Sequence, residues 1–156
     1  MEVWAFDPFI DAATMDAAGV KRIETVPELF DANFVSLHCP LTDDTRESIG
    51  MELMTRMPSK GAVVNTARKE VIDEAGLEQA FAARSDLRYL SDVKAGNEDA
   101  MNAAGGNRNA FSTAKKMGAQ TGEANVNAGV AAAHQIVEFL EDGVNKYQVN
   151  KDGKTF

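Results

Sequence analysis

Ala62-Val63-Val64-Asn65-Thr66-Ala67-Arg68 is the stretch that decides how this chain folds. A short apolar run with no polar alternation leads straight into polar residues, which is how a strand buried on both faces of a parallel sheet reads. Three other runs are built the same way. Val3-Trp4-Ala5-Phe6 ends at Asp7-Pro8, Phe34-Val35-Ser36-Leu37 ends at His38-Cys39-Pro40, and Leu87-Arg88-Tyr89-Leu90 ends at Ser91-Asp92. The segments between them predict helices. One covers 11–18 and stops at Gly19, one covers 50–57 and stops before Pro58, and one covers 74–83 behind Asp73, a good N-cap. A weaker strand over 20–26 precedes Pro27, which suits the first turn of a short helix reaching Asp31. Strand and helix alternate, so the expectation is an α/β fold with a parallel sheet.

The C-terminal third reads differently. Residues 97–109 hold two glycines and four asparagines and predict an irregular loop. Beyond them Val126, Val130, Ala133, Val137 and Leu140 recur at spacings of four, three, four and three, giving one apolar helix face. Glu123 near its start and Gly143 just past its end suit the helix dipole and the C-cap.

Composition removes several function classes. The 156 residues carry 16 Lys+Arg against 24 Asp+Glu, a formal charge of -8, and no basic cluster longer than a pair. Such a chain repels a phosphate backbone, so nucleic acid is not an expected partner. No apolar stretch approaches a membrane span, and no signal-peptide pattern follows Met1. One cysteine, Cys39, excludes an intrachain disulfide and makes the cytoplasm the default compartment. Two histidines and that cysteine cannot assemble a familiar zinc site, so no metal is expected.

In an open parallel sheet, ligands bind beyond the carboxyl ends of the strands. That rule gathers Asp7, His38-Cys39-Pro40, Thr66-Ala67-Arg68 and Asp92 into one candidate site. An acid just after a strand can accept both hydroxyls of an adenosine ribose, and an arginine there offers a planar fork matched to a carboxylate. Taken singly, each has an ordinary reading as a turn acid, a surface cation or a structural histidine. A dinucleotide site normally carries G-x-G-x-x-G before its second strand. None of the 12 glycines forms a G-x-G triplet, and Asp7 has too few residues upstream for such a loop. Either this is no dinucleotide site or the chain starts inside one.

The motifs Ala5-Phe6-Asp7-Pro8-Phe9, Phe34 through Thr42 and Val64-Asn65-Thr66-Ala67-Arg68-Lys69-Glu70-Val71-Ile72-Asp73-Glu74, in that order, resemble the D-isomer-specific 2-hydroxyacid dehydrogenases. The likeness runs from Val3 to about Leu140 and is strongest to the branch that oxidises 3-phosphoglycerate in serine biosynthesis. It implies a partial Rossmann-like NAD-binding domain over 1–119, its first strand and glycine-rich loop missing. It also implies a connecting helix over 120–142 and a tail over 143–156 belonging to the substrate domain. The parent enzyme is expected to be a homo-oligomer acting on a small 2-hydroxy acid with NAD, and the isolated chain is expected to be inactive. A glyoxylate or hydroxypyruvate reductase, or a non-catalytic interaction module, are the alternatives.

Carried over by position, the resemblance makes Asp7 the ribose acid and brings Cys39 near the nicotinamide-side ribose. Thr66, Ala67 and Arg68 become the strand-end triplet beside the nicotinamide, with Arg68 also binding the substrate carboxylate. Asp92 becomes the acid that holds the carboxamide. Two positions depart from the family. The glutamate expected five residues after Asp92 is Asn97, and Glu98, one residue late, is the candidate for that role. The expected catalytic histidine is absent, and aligning on Gly118-Ala119 puts Lys116 in its place, as in a lysine-containing subgroup. Gly118 and Ala119 would let the backbone approach the nicotinamide. The departures agree physically, because a carboxylate beside a lysine would raise an already high pKa and hinder its use as a base.

Overall fold

A computed structural model describes residues 1–106, 108–114 and 121–148. The apolar runs become parallel strands, each trimmed to the residues that pair. They are β1 (Trp4–Ala5), β3 (Phe34–Leu37), β4 (Ala62–Asn65) and β5 (Arg88–Ser91), and the weaker run supplies β2 (Lys21–Arg22). A sixth strand, β6 (Ala110–Ser112), was not expected from the sequence. Three residues with a single bulky apolar side chain carry too little pattern to be seen as a strand.

The helices follow the caps. Helix α1 (Ala12–Ala17) starts behind Asp11, whose carboxylate accepts from the Thr14 N–H, and stops at Gly19, whose φ of 69° suits glycine. Helix α2 (Val26–Leu29) opens with Pro27 in its first turn and a Thr25–Glu28 capping box. Helix α3 (Met51–Arg56) stops before Pro58, and α4 (Glu74–Ala83) opens on Asp73, which accepts from the Gly76 N–H.

The segment expected to be a loop holds helix α5 (Glu98–Gly105), and β6 opens at Ala110. Asn102 and Asn109, two of the asparagines that suggested irregularity, are internal connectors. Asn102 Oδ1 accepts from the Arg108 and Ala110 N–H groups while its Nδ2 donates to the Ala110 carbonyl. Asn109 is buried and donates to the Ser85 and Leu87 carbonyls.

The strands form two parallel sheets, one ordered β1-β2 and one ordered β3-β4-β5-β6. On the larger sheet Val35, Leu37, Val63 and Tyr89 join residues of α3, α4 and α5 in one buried cluster that includes Met54, Leu77, Phe81 and Met101. The chain divides into two compact units, 1–116 and 117–156. In the second, α6 (Gly122–Asp142) has the expected caps, Thr121 at its start and Gly143 in the left-handed region at its end. Its apolar stripe is present but none of its residues is buried.

Candidate functional site

Register builds the site. Leu37, Asn65, Ser91 and Ser112 pair across the larger sheet in one row, so β3 to β6 end level with one another. His38, Thr66, Asp92 and Thr113 follow as the next row, a polar crest above the carboxyl ends. Backbone bonds tie it down: the Asp92 N–H donates to the Asn65 carbonyl at 3.3 Å, and the Thr113 N–H to the Ser91 carbonyl at 3.1 Å. Thr113 Oγ1 also donates to the Asp92 carbonyl at 3.3 Å.

Asn65 shapes the Arg68 loop, and sequence reasoning missed it. The amide is 3% exposed, accepts from the Ala67 N–H at 3.0 Å and donates to the Arg68 carbonyl at 3.0 Å. It donates also to the Tyr89 hydroxyl at 3.1 Å. One side chain therefore brackets the turn that presents Thr66, Ala67 and Arg68, and braces it on the core through a phenol. Burial pushes the Tyr89 hydroxyl pKa up, opposed by its hydrogen bonds to Asn65 and Ser91. The available signal was an asparagine at the end of a buried strand, where it read only as the polar end of the run.

Each candidate has a definite place. Arg68 is exposed, donates to the Ala67 carbonyl at 2.9 Å, and has no carboxylate partner among the described residues. Its fork is available to a ligand. Asp92 is buried, and its Oδ2 has no hydrogen-bond donor among the described residues. A buried carboxylate oxygen without a donor is costly in a finished fold, and the NH2 of a carboxamide would supply one. Asp7, half-buried past the end of β1, fixes one oxygen on the Phe9 N–H at 2.8 Å. Cys39 is half-buried against the core, while His38 is exposed and shares a 2.8 Å hydrogen bond with Ser36 Oγ. These residues fit the nicotinamide and ribose portions of NAD.

The acid candidate is differently placed. Glu98 accepts from Ser112 Oγ, within the α5–β6 packing. Asn97 binds Glu74, its N–H donating to that carboxylate at 3.1 Å and its Nδ2 to the Glu74 carbonyl at 3.0 Å. Lys116, Gly118 and Ala119 lie outside the described residues. Among the described residues no group of three His, Cys, Asp or Glu could hold a metal ion. No described helix is long and apolar enough to cross a membrane.

An all-parallel α/β sheet with an acid after β1 and a donor–acceptor crest at its carboxyl ends defines the class of dinucleotide-binding domains. Residues 1–111 match the family described as D-isomer specific 2-hydroxyacid dehydrogenase, NAD binding domain, and the chain belongs to that family. It is 32% identical over 151 residues to D-3-phosphoglycerate dehydrogenase of Methanocaldococcus jannaschii, covering 96% of this chain and 29% of that one. A Synechocystis D-3-phosphoglycerate dehydrogenase is 30% identical over 155 residues, 99% of this chain and 28% of the relative. Among solved structures, NAD+-bound 3-phosphoglycerate dehydrogenase of Entamoeba histolytica matches with a TM-score of 0.75 and 42% identity, covering 93% of this chain and 45% of that one. The chain therefore spans under a third of the length of these curated relatives.

Proposed function

We propose that this chain is the nicotinamide-side portion of an NAD-dependent enzyme that oxidises the 2-hydroxyl of 3-phosphoglycerate. One observation carries the reading: the unpaired Arg68 fork and the donorless Asp92 oxygen belong to adjacent strand ends of one crest. NAD would supply the hydride acceptor. Asp92 holds the carboxamide, Asp7 accepts the ribose hydroxyls, and Cys39, Thr66, Ala67, Gly118 and Ala119 line the approach. Arg68 grips the substrate carboxylate in two parallel bonds and polarises the oxygen at C2. Lys116 exchanges the hydroxyl proton, and Glu98 is the acid assigned to accompany it. The domain arrangement is 1–119 for the nucleotide, 120–142 for the connecting helix and 143–156 for the substrate domain. The parent enzyme works in the cytoplasm as a homo-oligomer.

The test is a chimera in which this chain replaces the matching part of the Entamoeba histolytica enzyme. Arg68→Lys keeps the charge and loses the fork, so kcat/KM should fall about 100-fold while NAD affinity stays level. Lys116→Met should remove most turnover, with Lys115→Met mild. In the oxidation direction the amine must be neutral, so the rate should climb with pH until the lysine pKa is passed. Unchanged kinetics for Arg68→Lys remove it from the site, and equal losses from the two lysine variants remove Lys116.

A further inference from the structure

Two loops leave neighbouring strand ends of the crest, and each carries one of the groups assigned to a ligand. The loop after β4 carries Arg68, passes through a short 3-10 turn (Lys69–Val71) and enters α4 at Glu74. The loop after β5 carries Asp92 and enters α5 behind Asn97. Ladder pairing fixes the two strands beneath, and the Asp92 N–H on the Asn65 carbonyl is the last backbone bond between them. Beyond it, side chains set how the loops stand to one another.

Glu74 joins them. Its Oε1 accepts from the Gly96 N–H at 2.8 Å and its Oε2 from the Asn97 N–H at 3.1 Å. Its carbonyl accepts from Asn97 Nδ2 at 3.0 Å, and that amide also reaches Glu78 Oε2 at 3.4 Å. An acid in the first turn of a helix ordinarily faces water and complements the dipole. This one is half-buried, has no cationic partner among the described residues, and gives both oxygens to consecutive backbone donors. Gly96 makes room for it, since a Cβ there would stand 3.0 Å from Oε2. Asn97 suits the same clamp. An acid at that position would lose the donor and face two carboxylates, Glu74 and Glu78.

We propose that Glu74 is a positioning residue for hydride transfer: by tying the Asp92 loop to the Arg68 loop, it holds the carboxamide and the substrate carboxylate at one separation. The inference rests on the roles assigned above to Arg68 and Asp92. Hydride transfer needs its two carbons at contact distance, and a misplacement of about 1 Å can cost on the order of 100-fold. Glu74 touches neither ligand and acts through the two loops.

The test uses the 156-residue chain and the chimera described above. Glu74→Gln keeps one acceptor oxygen and turns an NH2 toward a backbone N–H, so one of the two clamp bonds is lost. In the chain, amide exchange at Gly96 and Asn97 should quicken on the order of tenfold while Val63 and Tyr89 stay protected. In the chimera, kcat should fall about 10-fold, with the KM values for substrate and NAD within about twofold of the parent. Gly96→Ala pushes the carboxylate aside without altering its charge, and should give the same pattern with a smaller loss of kcat. Calorimetric titration with NAD and with its 3-acetylpyridine analogue reads Asp92 separately, because the analogue carries a methyl ketone in place of the carboxamide and offers no N–H. Asp92→Ala should abolish the preference for NAD, and Glu74→Gln should narrow it about threefold. Parental kcat in Glu74→Gln overturns the proposal, as does a loss carried by KM, or unchanged exchange at Gly96 and Asn97. So does a parental preference in Glu74→Gln where Asp92→Ala abolishes it. If Asp92→Ala itself keeps the preference, the carboxamide reading fails, and kcat and exchange in Glu74→Gln still decide the tie.

Discussion

The two sheets are written in the same sequence pattern and are held in different ways. The strands of the larger sheet lie over a continuous cluster reaching from Phe30 to Ala110, with Met54, Val63, Leu77, Phe81, Leu87 and Met101 fully enclosed. Before Phe30 only Met15 and Ile23 are buried apolar side chains. An apolar run followed by a polar end thus predicts a strand in both places, yet says nothing about whether its faces and edges are covered. Local pattern sets the element, and the neighbours set how firmly it is held.

That contrast is open to a direct break, and its largest effect is in the core. Phe81 is 0% exposed between α4 and the larger sheet, so Phe81→Ala should cost about 3–5 kcal/mol and leave the chain largely unfolded. Met15, 4% exposed on α1, lies outside that cluster, with Ile23 the only other buried apolar side chain before Phe30. Met15→Ala should cost about 1–2 kcal/mol, because a thinly covered site can collapse around the gap. Urea unfolding followed by fluorescence measures both. Equal losses would mean that the N-terminal sheet is as firmly supported as the other.

How much was legible follows from the same contrast. Runs such as Phe34 to Leu37 and caps such as Asp73 carry their signal in neighbouring residues, so those elements were readable. Helix α5 was not, because Asn102 and Asn109 look like loop residues until the carbonyls they satisfy, on β6 and before β5, are known. The candidate site divides likewise. Asp7, Cys39, Arg68 and Asp92 could be singled out as candidates because ligands of parallel sheets bind beyond the carboxyl ends of the strands. Asn65 was missed because its bracing of the turn on the core runs through Tyr89, whose hydroxyl it reaches across adjacent strands.

Asn65 sharpens the comparison at the next level of magnitude. Asn65→Ala leaves the Ala67 N–H without its acceptor, removes one of the Tyr89 hydroxyl's hydrogen-bond partners and frees the Arg68 carbonyl. The expected cost is about 1–3 kcal/mol, with faster amide exchange at Ala67 and Arg68. In the chimera, the same variant should reduce kcat more than NAD affinity, since it loosens the Arg68 turn and leaves the Asp92 carboxylate in place. A change confined to thermal stability, with kcat retained, would make Asn65 a core residue only.

The smallest effect compares two arginine clamps, one in each region. Arg84 donates twice to Asp86, both at 2.9 Å, and also to the carbonyls of Thr55, Met57 and Pro58, fastening the end of α3 to the end of α4. Among the described residues the Arg22 side chain, near the N-terminal sheet, donates only to Glu24 and the Ile10 carbonyl. The Arg84 guanidinium, with help from the Lys60 N–H at 2.8 Å, holds the Asp86 carboxyl far below its usual range. A carboxylate depressed in the folded state stabilises the fold above its ordinary pKa and loses that contribution as pH falls through the folded value. Asp86→Asn should therefore lower stability by about 1 kcal/mol at pH 7, a modest figure because the pair is nearly a third exposed and screened by salt. The gap to the parent chain should narrow steadily below about pH 4, as the unfolded-state carboxyl takes up its proton. Arg84→Ala should cost more than Asp86→Asn at both pH values, because the three carbonyl bonds do not titrate, and Arg22→Ala should cost least of all. Urea midpoints at pH 7 and pH 3 for the three variants decide it. If Asp86→Asn shows the same deficit at both pH values, the pair acts by geometry alone. If Arg22→Ala matches Arg84→Ala, the clamp does not distinguish the two regions.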